Sequence, residues 1–407
     1  YGALVGERAL EPPHWILVRA AWLRMQGAEV SVVDMERQSQ EDIPEADEYE
    51  IWPTGAHPSA YVQEQEGVAD LVHSLFGRML WVKTQVDFPL TGVSPAWDLV
   101  DPRDYSTHNW HSWTGEGRQG YGTVHGSASC PYGCSFCSVR GYYGGGYKPR
   151  PVGESVVDIT RLYDMGVRNI KMMDELFVVD DARLAEWADA IMEQGFVGLN
   201  VWAYGRVDTL RKVKDSTLVM AREAGLRWVG VGFESGDMGI RMTQGKGTWS
   251  NSDAMTLRKR LKDAGIAIVG NYMFGFPNDT YETMRATFEF AYAMQTELAN
   301  FYCVVAYPKT PLEGMAKSKG WELPKTPREY AQYAPEFRPL PTDTLSAQEV
   351  LAYRDWAWHG YHGSSGYLWM LGETFGVEAR AEMERVGQIP LHRNLLGGTW
   401  EAWHGKA

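Results

Sequence analysis

Cysteine is scarce in this chain. Only 4 of 407 residues are Cys, too few for a disulfide framework at this length, so the thiols are expected to be reduced, as in a cytoplasm. Positive charge is also short. Against 52 Asp and Glu stand 39 Lys and Arg, a net charge of −13, which argues against a general binder of nucleic acid or anionic membrane, since both need a basic face. No apolar run reaches the length of a membrane span, and no signal-peptide pattern opens the chain. Low-complexity runs and a disorder-prone composition are missing as well. The absences point to a soluble cytoplasmic protein with neither nucleic-acid nor membrane partners.

What is present is more informative. The length suggests two or three domains, and 17 Trp and 21 Tyr supply both core and any pocket that stacks flat ligands. From Thr123 onward the chain alternates apolar, β-rich runs with helical patterns. The runs are "TVHGSAS", "NIKMMDEL", "GLNVWAYG", "WVGVGFES", "AIVGNYMFG" and "FYCVVAYP". Gly166, Gly195, Gly225 and Gly265 each close a helical pattern just before a strand, where a left-handed cap is expected. Six strands joined by helices imply a parallel sheet curled into a full or partial (β/α) barrel, with chemistry at the C-terminal strand ends.

The flanks read differently. Residues 1–95 carry a weaker α/β signal. A helix in "PPHWILVRAAWLRMQG" stops at Gly27, and a buried strand ends at Asp34. Further strands fall in "YEIWPTG" and "RMLWVKTQV", with a helix in "SAYVQEQEGVADLVHSLF" between them. This is a small doubly wound layer, and its start without Met suggests that a first strand is missing. Residues 96–122, rich in Gly, Asp and aromatics, read as a linker that wraps or docks. Residues 309–407 are Pro-rich, then helical from about Ser346.

Three of the four cysteines fall in "GSASCPYGCSFCSVRG", at Cys130, Cys134 and Cys137, on a loop after the first barrel strand. Three thiolates can hold three irons of a [4Fe–4S] cluster and leave the fourth iron open. Zinc would want a fourth donor, for which His125 is the neighbour, though it lies within the strand. An electron-transfer ferredoxin would want a fourth Cys, and only Cys303 remains.

With Phe136 before its last Cys, this C-x3-C-x2-C loop resembles the signature of radical S-adenosylmethionine (SAM) enzymes, over roughly residues 123–308. The resemblance implies a [4Fe–4S] cluster on the three cysteines, SAM chelating the open iron, and a 5′-deoxyadenosyl radical that abstracts hydrogen. It also implies a flavodoxin- or ferredoxin-type electron donor. By the same resemblance, Glu175 of "MMDELF" meets the SAM amino group and Arg206 of "AYGRVD" the SAM carboxylate. Glu234 and Ser235 of "GFESGD" contact the ribose region, while Gly275 and Pro277 of "GNYMFGFPNDT" line the adenine. Plainer readings stand beside these: Asp174 or Asp279 as a helix cap, and Arg206 as a partner of Asp208.

The N-terminal layer is similar to the cobalamin-binding domain that precedes the barrel in one branch of that family. The likeness lies in "EPPHWILVRAAWLRMQGAEVSVVDME" and "HPSAYVQEQEG", and it implies cobalamin contacts at Pro13, His57 and Ser59. The branch's Asp-x-His-x-x-Gly motif is absent, and His57 is the candidate to approach cobalt. The fold class implied is α/β: a small Rossmann-like cobalamin-binding layer, a partial (β/α)6 radical SAM barrel, then a C-terminal helical extension. The activity implied is C-methylation of an unactivated carbon in a small-molecule or sugar-type substrate, through the deoxyadenosyl radical and methylcobalamin. A cobalamin-assisted rearrangement without methyl transfer, or a non-catalytic iron–sulfur or corrinoid-binding protein, are the alternatives. A methylthiotransferase would need three or more further cysteines. Candidates for the substrate shell are Tyr142, Tyr143, Tyr302 and Tyr307.

Overall fold

The computed structural model describes residues 9–34, 37–38, 42–44, 46–51, 80–82 and 89–403. Near its start a helix, His14–Met25, ends where Gly27 takes φ +91°. The expected strand up to Asp34 does not form. Residues 28–34 are irregular, and Asp34 is buried because its carboxylate accepts from the Tyr105 hydroxyl at 2.6 Å. Strands β1 (Tyr49–Ile51) and β2 (Leu80–Val82) pair in parallel. The helix expected between them lies outside the described residues.

The centre of the molecule is a six-stranded parallel sheet. Its strands are β3 (Tyr121–Val124), β6 (Asn169–Met172), β7 (Asn200–Gly205), β8 (Leu226–Glu234), β9 (Ala267–Phe274) and β10 (Leu298–Cys303), paired in that order. Between β3 and β6 a short antiparallel pair intervenes, β4 (Ser127–Ala128) with β5 (Lys148–Pro149). The cysteine loop therefore leaves from β4 rather than directly from the sheet. Each sheet strand after β3 is reached from a helix. Gly166, Gly195, Gly225 and Gly265 all have positive φ, as expected where a helix must reverse into the next strand.

Register assigns the two faces of the sheet. Lys171 pairs with Trp202, Tyr204 with Gly230, Gly232 with Asn271, and Asn271 with Asn300. Paired residues share a face and neighbours along a strand alternate, so these positions form one surface, the inner face. Met172, Ala203, Val231, Phe274 and Phe301 form the other, fully buried beneath the helices. Removing the Met, Val and Phe side chains among them from water contributes roughly 1.5–3 kcal/mol each.

The lower inner face is filled by segments that precede the sheet. Trp110 lies edge-on to Trp202 and Trp228, with ring centroids 5.3 and 5.0 Å away. Asn200 Nδ2 donates to the His111 carbonyl at 2.9 Å, and Thr114 Oγ1 donates to Asn200 Oδ1 at 2.9 Å. Farther up, Glu11 holds the Lys171 ammonium with both carboxylate oxygens at 2.8 Å. Residues 107–114 thus dock into the sheet. On the outer face the helix Ala347–His362, capped by Ser346, packs on β10. Asp355 is clamped there between Arg354 and Arg393, all three fully buried.

Candidate functional site

The cysteine loop is braced from below before it is exposed. Asp174 accepts from the Gly126 amide at 2.7 Å and from the Ser127 hydroxyl, while Arg183 Nη2 donates to the Gly126 and Arg150 carbonyls. Asp174 is therefore a brace for β4, and Asp180 caps the following helix. Burial pushes the Asp174 carboxyl up to about 6. Asp279 plays the matching part after β9, accepting from the Gly275 and Phe276 amides. Thr280, not Asp279, caps the helix there.

Above the brace, the three thiols sit at the strand ends, half-buried. Arg206 Nη1 donates to Cys134 Sγ at 3.2 Å, and the guanidinium stacks 3.8 Å over the Tyr132 ring. Nη2 donates to Asp208 at 2.9 Å and to the Lys246 carbonyl at 3.1 Å, and Nε donates to Asp208 at 3.3 Å. Arg206 thus has the predicted Asp208 partner and a cysteine as well. The Ser135 amide donates to the Gln244 carbonyl, and the Leu312 amide donates to the Ser135 carbonyl. Phe136 packs on Phe276, ring centroids 5.5 Å apart, tying the loop to the turn after β9.

The donor set suits a cluster. Burial pushes the Cys137 thiol up to about 12 and raises Cys130 too, so both stay protonated at neutral pH unless a bound metal displaces the proton. Arg206 and Lys246 oppose that burial at Cys130. Zinc fits less well, because the His125 ring already bonds His14 Nε2 at 2.9 Å and faces the Leu90 carbonyl. Cys303 lies on the outer face, its thiol 4.0 Å from the Val350 carbonyl, and burial pushes it up to about 12. The fourth cysteine stands across the sheet from the other three.

Carboxylates ring the same end. Glu175 is half-buried, near enough to Cys137 to raise its thiol, and burial pushes its own carboxyl up to about 7. Glu234 has φ +61° and follows a bulge in the β8–β9 pairing, a device that re-aims a side chain. Its carboxylate meets Lys246 Nζ at 2.8 Å. Gly232 makes room for the pair, since a Cβ there would stand 2.3 Å from Glu234 Oε1.

The remaining expected residues are more scattered. Ser235 is buried, and its hydroxyl shares a hydrogen bond with Thr287 and accepts from the Asp237 amide. Gly275, at φ +90°, lets Val350 approach within 2.5 Å of where a Cβ would stand. The Pro277 carbonyl accepts from the Asp343 amide. Pro13 is buried at the start of the first helix, where its carbonyl accepts from Leu17. His57 and Ser59 lie outside the described residues. Sequence reading missed Lys246, Lys171, Glu11 and Tyr204. A lysine between two glycines, "GKG", was the available sign for Lys246; for Glu11 there was none.

This geometry defines a class, and comparison with known families agrees. Residues 125–291 match the radical SAM superfamily model, and the chain carries a radical SAM domain. That assignment brings a [4Fe–4S] cluster and SAM with it. An uncharacterized methyltransferase of Pyrococcus horikoshii is 27% identical over 216 residues, covering 53% of this chain and 46% of the relative. The bacteriochlorophyllide d C-12(1)-methyltransferase of Chlorobaculum tepidum is 25% identical over 184 residues, 45% of this chain and 40% of the relative. The chain spans less than half the length of these curated relatives. Among solved structures, the radical SAM methyltransferase TsrM from Kitasatospora setae, with tryptophan substrate and a SAM analog bound, shares the fold. Its TM-score is 0.59 at 15% identity, covering 76% of this chain and 74% of that one. Among the described residues no helix is long and apolar enough to cross a membrane.

Proposed function

We propose that this chain is a cobalamin-dependent radical SAM methyltransferase acting on an unactivated carbon of a small molecule. The observation that carries the reading is the braced three-cysteine loop with Arg206 donating to Cys134, at the head of a polar sheet face. The methyltransferases among its relatives support the reaction class, and the likeness of the N-terminal segments to a cobalamin-binding layer supports the second cofactor. The sheet is then a partial (β/α)6 barrel over 123–308, with a cobalamin-type layer at 1–95, a linker at 96–122 and a helical extension at 309–407.

Cys130, Cys134 and Cys137 would hold three irons of the cluster. When bound, the cluster supplies the electron that splits the SAM sulfonium, and methylcobalamin supplies the methyl group. The protein's part is placement and charge. Arg206 pairs with the SAM carboxylate as a charge-assisted donor while steadying the Cys134 sulfur. Glu175, once ionised, accepts from the SAM amino group; Glu234, re-aimed by its bulge, reaches the ribose hydroxyls. Gly275 and Pro277 shape the turn over the adenine. Reduction comes from a flavodoxin- or ferredoxin-type donor.

The test uses anaerobically reconstituted, reduced protein with SAM labelled in its methyl group. Release of 5′-deoxyadenosine with label in the product supports the reading. Release without labelled product shifts it to a rearrangement, and no release at all leaves a binding protein.

A further inference from the structure

A short helix, Val139–Tyr143, follows directly on the cysteine loop, and its last residue is pinned by the strand pair beside it. Lys148 Nζ, on β5, donates to the Tyr143 carbonyl at 2.7 Å, and Ser129 Oγ, just past β4, donates to the Gly144 carbonyl at 3.0 Å. Ser129 itself takes φ +63°, which a residue with a side chain keeps only where its surroundings enforce it. With its backbone held there, the Tyr143 side chain is buried. Its hydroxyl hydrogen-bonds the Glu175 carboxyl and favours the ionised form against the burial that opposes it.

The same ring has a neighbour from the start of the chain. Trp15, on the helix His14–Met25, meets Tyr143 edge-on with ring centroids 5.7 Å apart. Val18, Val93 and Ala128 complete this cluster, and Met173, two residues before Glu175, packs against it. The helix cannot slide freely. His14 Nδ1 lies 3.0 Å from Thr123 Oγ1 and His14 Nε2 lies 2.9 Å from His125 Nδ1, while Trp15 packs on the His125 ring at 5.1 Å. Contacts thus run without a gap from the N-terminal helix, through Tyr143, to a carboxylate at the head of the sheet.

We infer that Tyr143 is a positioning residue that aims Glu175 at the SAM amino group, and that Trp15 holds Tyr143 in that pose. This rests on the radical SAM reading of the same site. SAM affinity is then set in part by the N-terminal helix, and the residue that follows the cluster loop carries the coupling.

The test is equilibrium dialysis of SAM against the anaerobically reconstituted full chain and its variants, with iron content measured on each. Tyr143→Phe is expected to keep the iron and to weaken SAM binding about tenfold, since a hydrogen bond to a charged group is lost. Combined with Glu175→Ala, the same change should cost less than about twofold further, because one residue acts through the other. Trp15→Leu keeps the site apolar but removes the aromatic contact, and should weaken SAM binding about threefold. Parent-like affinity in Tyr143→Phe overturns the inference. So does an equal loss with and without Glu175, or a loss of iron from Tyr143→Phe, which would make Tyr143 only a prop for the loop. Parent-like affinity in Trp15→Leu overturns the part assigned to the N-terminal helix. Deoxyadenosine release by the unaltered protein is measured alongside. If it proceeds while Tyr143→Phe binds SAM as the parent does, this inference alone fails. If SAM binds with the expected pattern and no deoxyadenosine appears, the functional reading alone fails; if SAM does not bind, both fail.

Discussion

The two faces of the central sheet come from the same strands and do opposite work. The outer face, with Met172, Val231, Phe274 and Phe301, is apolar and sealed under helices. The inner face carries Lys171, Trp202, Tyr204, Asn271 and Asn300, together with glycines where a side chain would intrude. One surface holds the fold by excluding water. The other spends stability on polar groups and open space, and the cysteine loop stands at its head. Stability and function are divided by a period of two along each strand.

The largest break in that contrast comes at the loop. Cys134→Ala is expected to bring iron content and 5′-deoxyadenosine release down to background, while far-UV circular dichroism stays that of the parent. Cys303→Ala, on the outer face, should keep the iron. Loss of iron from both variants would mean that Cys303 belongs with the other three.

Neighbours on β10 sharpen the comparison next. Phe301 packs against Tyr272, Phe274 and Tyr361, so Phe301→Ala should lower stability by about 3–5 kcal/mol in urea denaturation. Tyr302→Phe, one residue along and on the inner face, should stay within about 0.5 kcal/mol of the parent. Equal losses would refute the assignment of faces.

Smaller in stability but visible in turnover is Gly232→Ala. The new Cβ would fall 2.3 Å from Glu234 Oε1 and 2.6 Å from Lys246 Nζ, so this ion pair must move. Deoxyadenosine release should slow with only a modest shift in the urea midpoint. An unchanged rate would show that the pair has no part in SAM placement.

The smallest effect is a pH dependence. Burial holds the Glu175 carboxyl at about 7, above its ordinary 4.5, and Asp174 and Asp279 at about 6. Across that window these three carboxyls keep protons in the folded state that the unfolded chain has released, so their contribution to stability falls as pH rises from about 4.5 to 7. Against it runs an opposite rise from the buried His14, His111, His125 and His362, which burial holds neutral in the fold. Glu175→Gln should flatten the upper part of that fall when urea midpoints are compared below and above the window. A slope unchanged by the substitution would mean that Glu175 titrates at its ordinary value.

Much of this architecture was legible because local rules produce it. The four cap glycines, the Ser346 helix start and the sheet strands follow from periodicity and backbone preference, each within a few neighbouring residues. The three-cysteine loop was legible for the same reason. The strand expected before Asp34 was misread because apolar β-branched residues in "VSVVD" satisfy the pattern, yet among the described residues no strand pairs with residues 28–34. Tertiary contact with Tyr105 decided that segment. Ser235, in "GFESGD", shows what local sequence leaves out: its hydroxyl shares a hydrogen bond with Thr287, 52 positions along.

By itself, then, the amino-acid sequence determined the alternation of strands and helices, where each helix stops, and which thiols lie together. These depend on steric preferences and spacings that act over a few bonds. Only the tertiary structure decided that Cys303 stands across the sheet from the other cysteines. It alone brought Glu11 to Lys171 across 160 positions, placed Lys246 against Glu234, and made Asp174 a brace rather than a cap. Those pairings are set by strand register and by segments docking from far along the chain. Whether a buried charge or carboxamide is satisfied depends on what arrives to meet it.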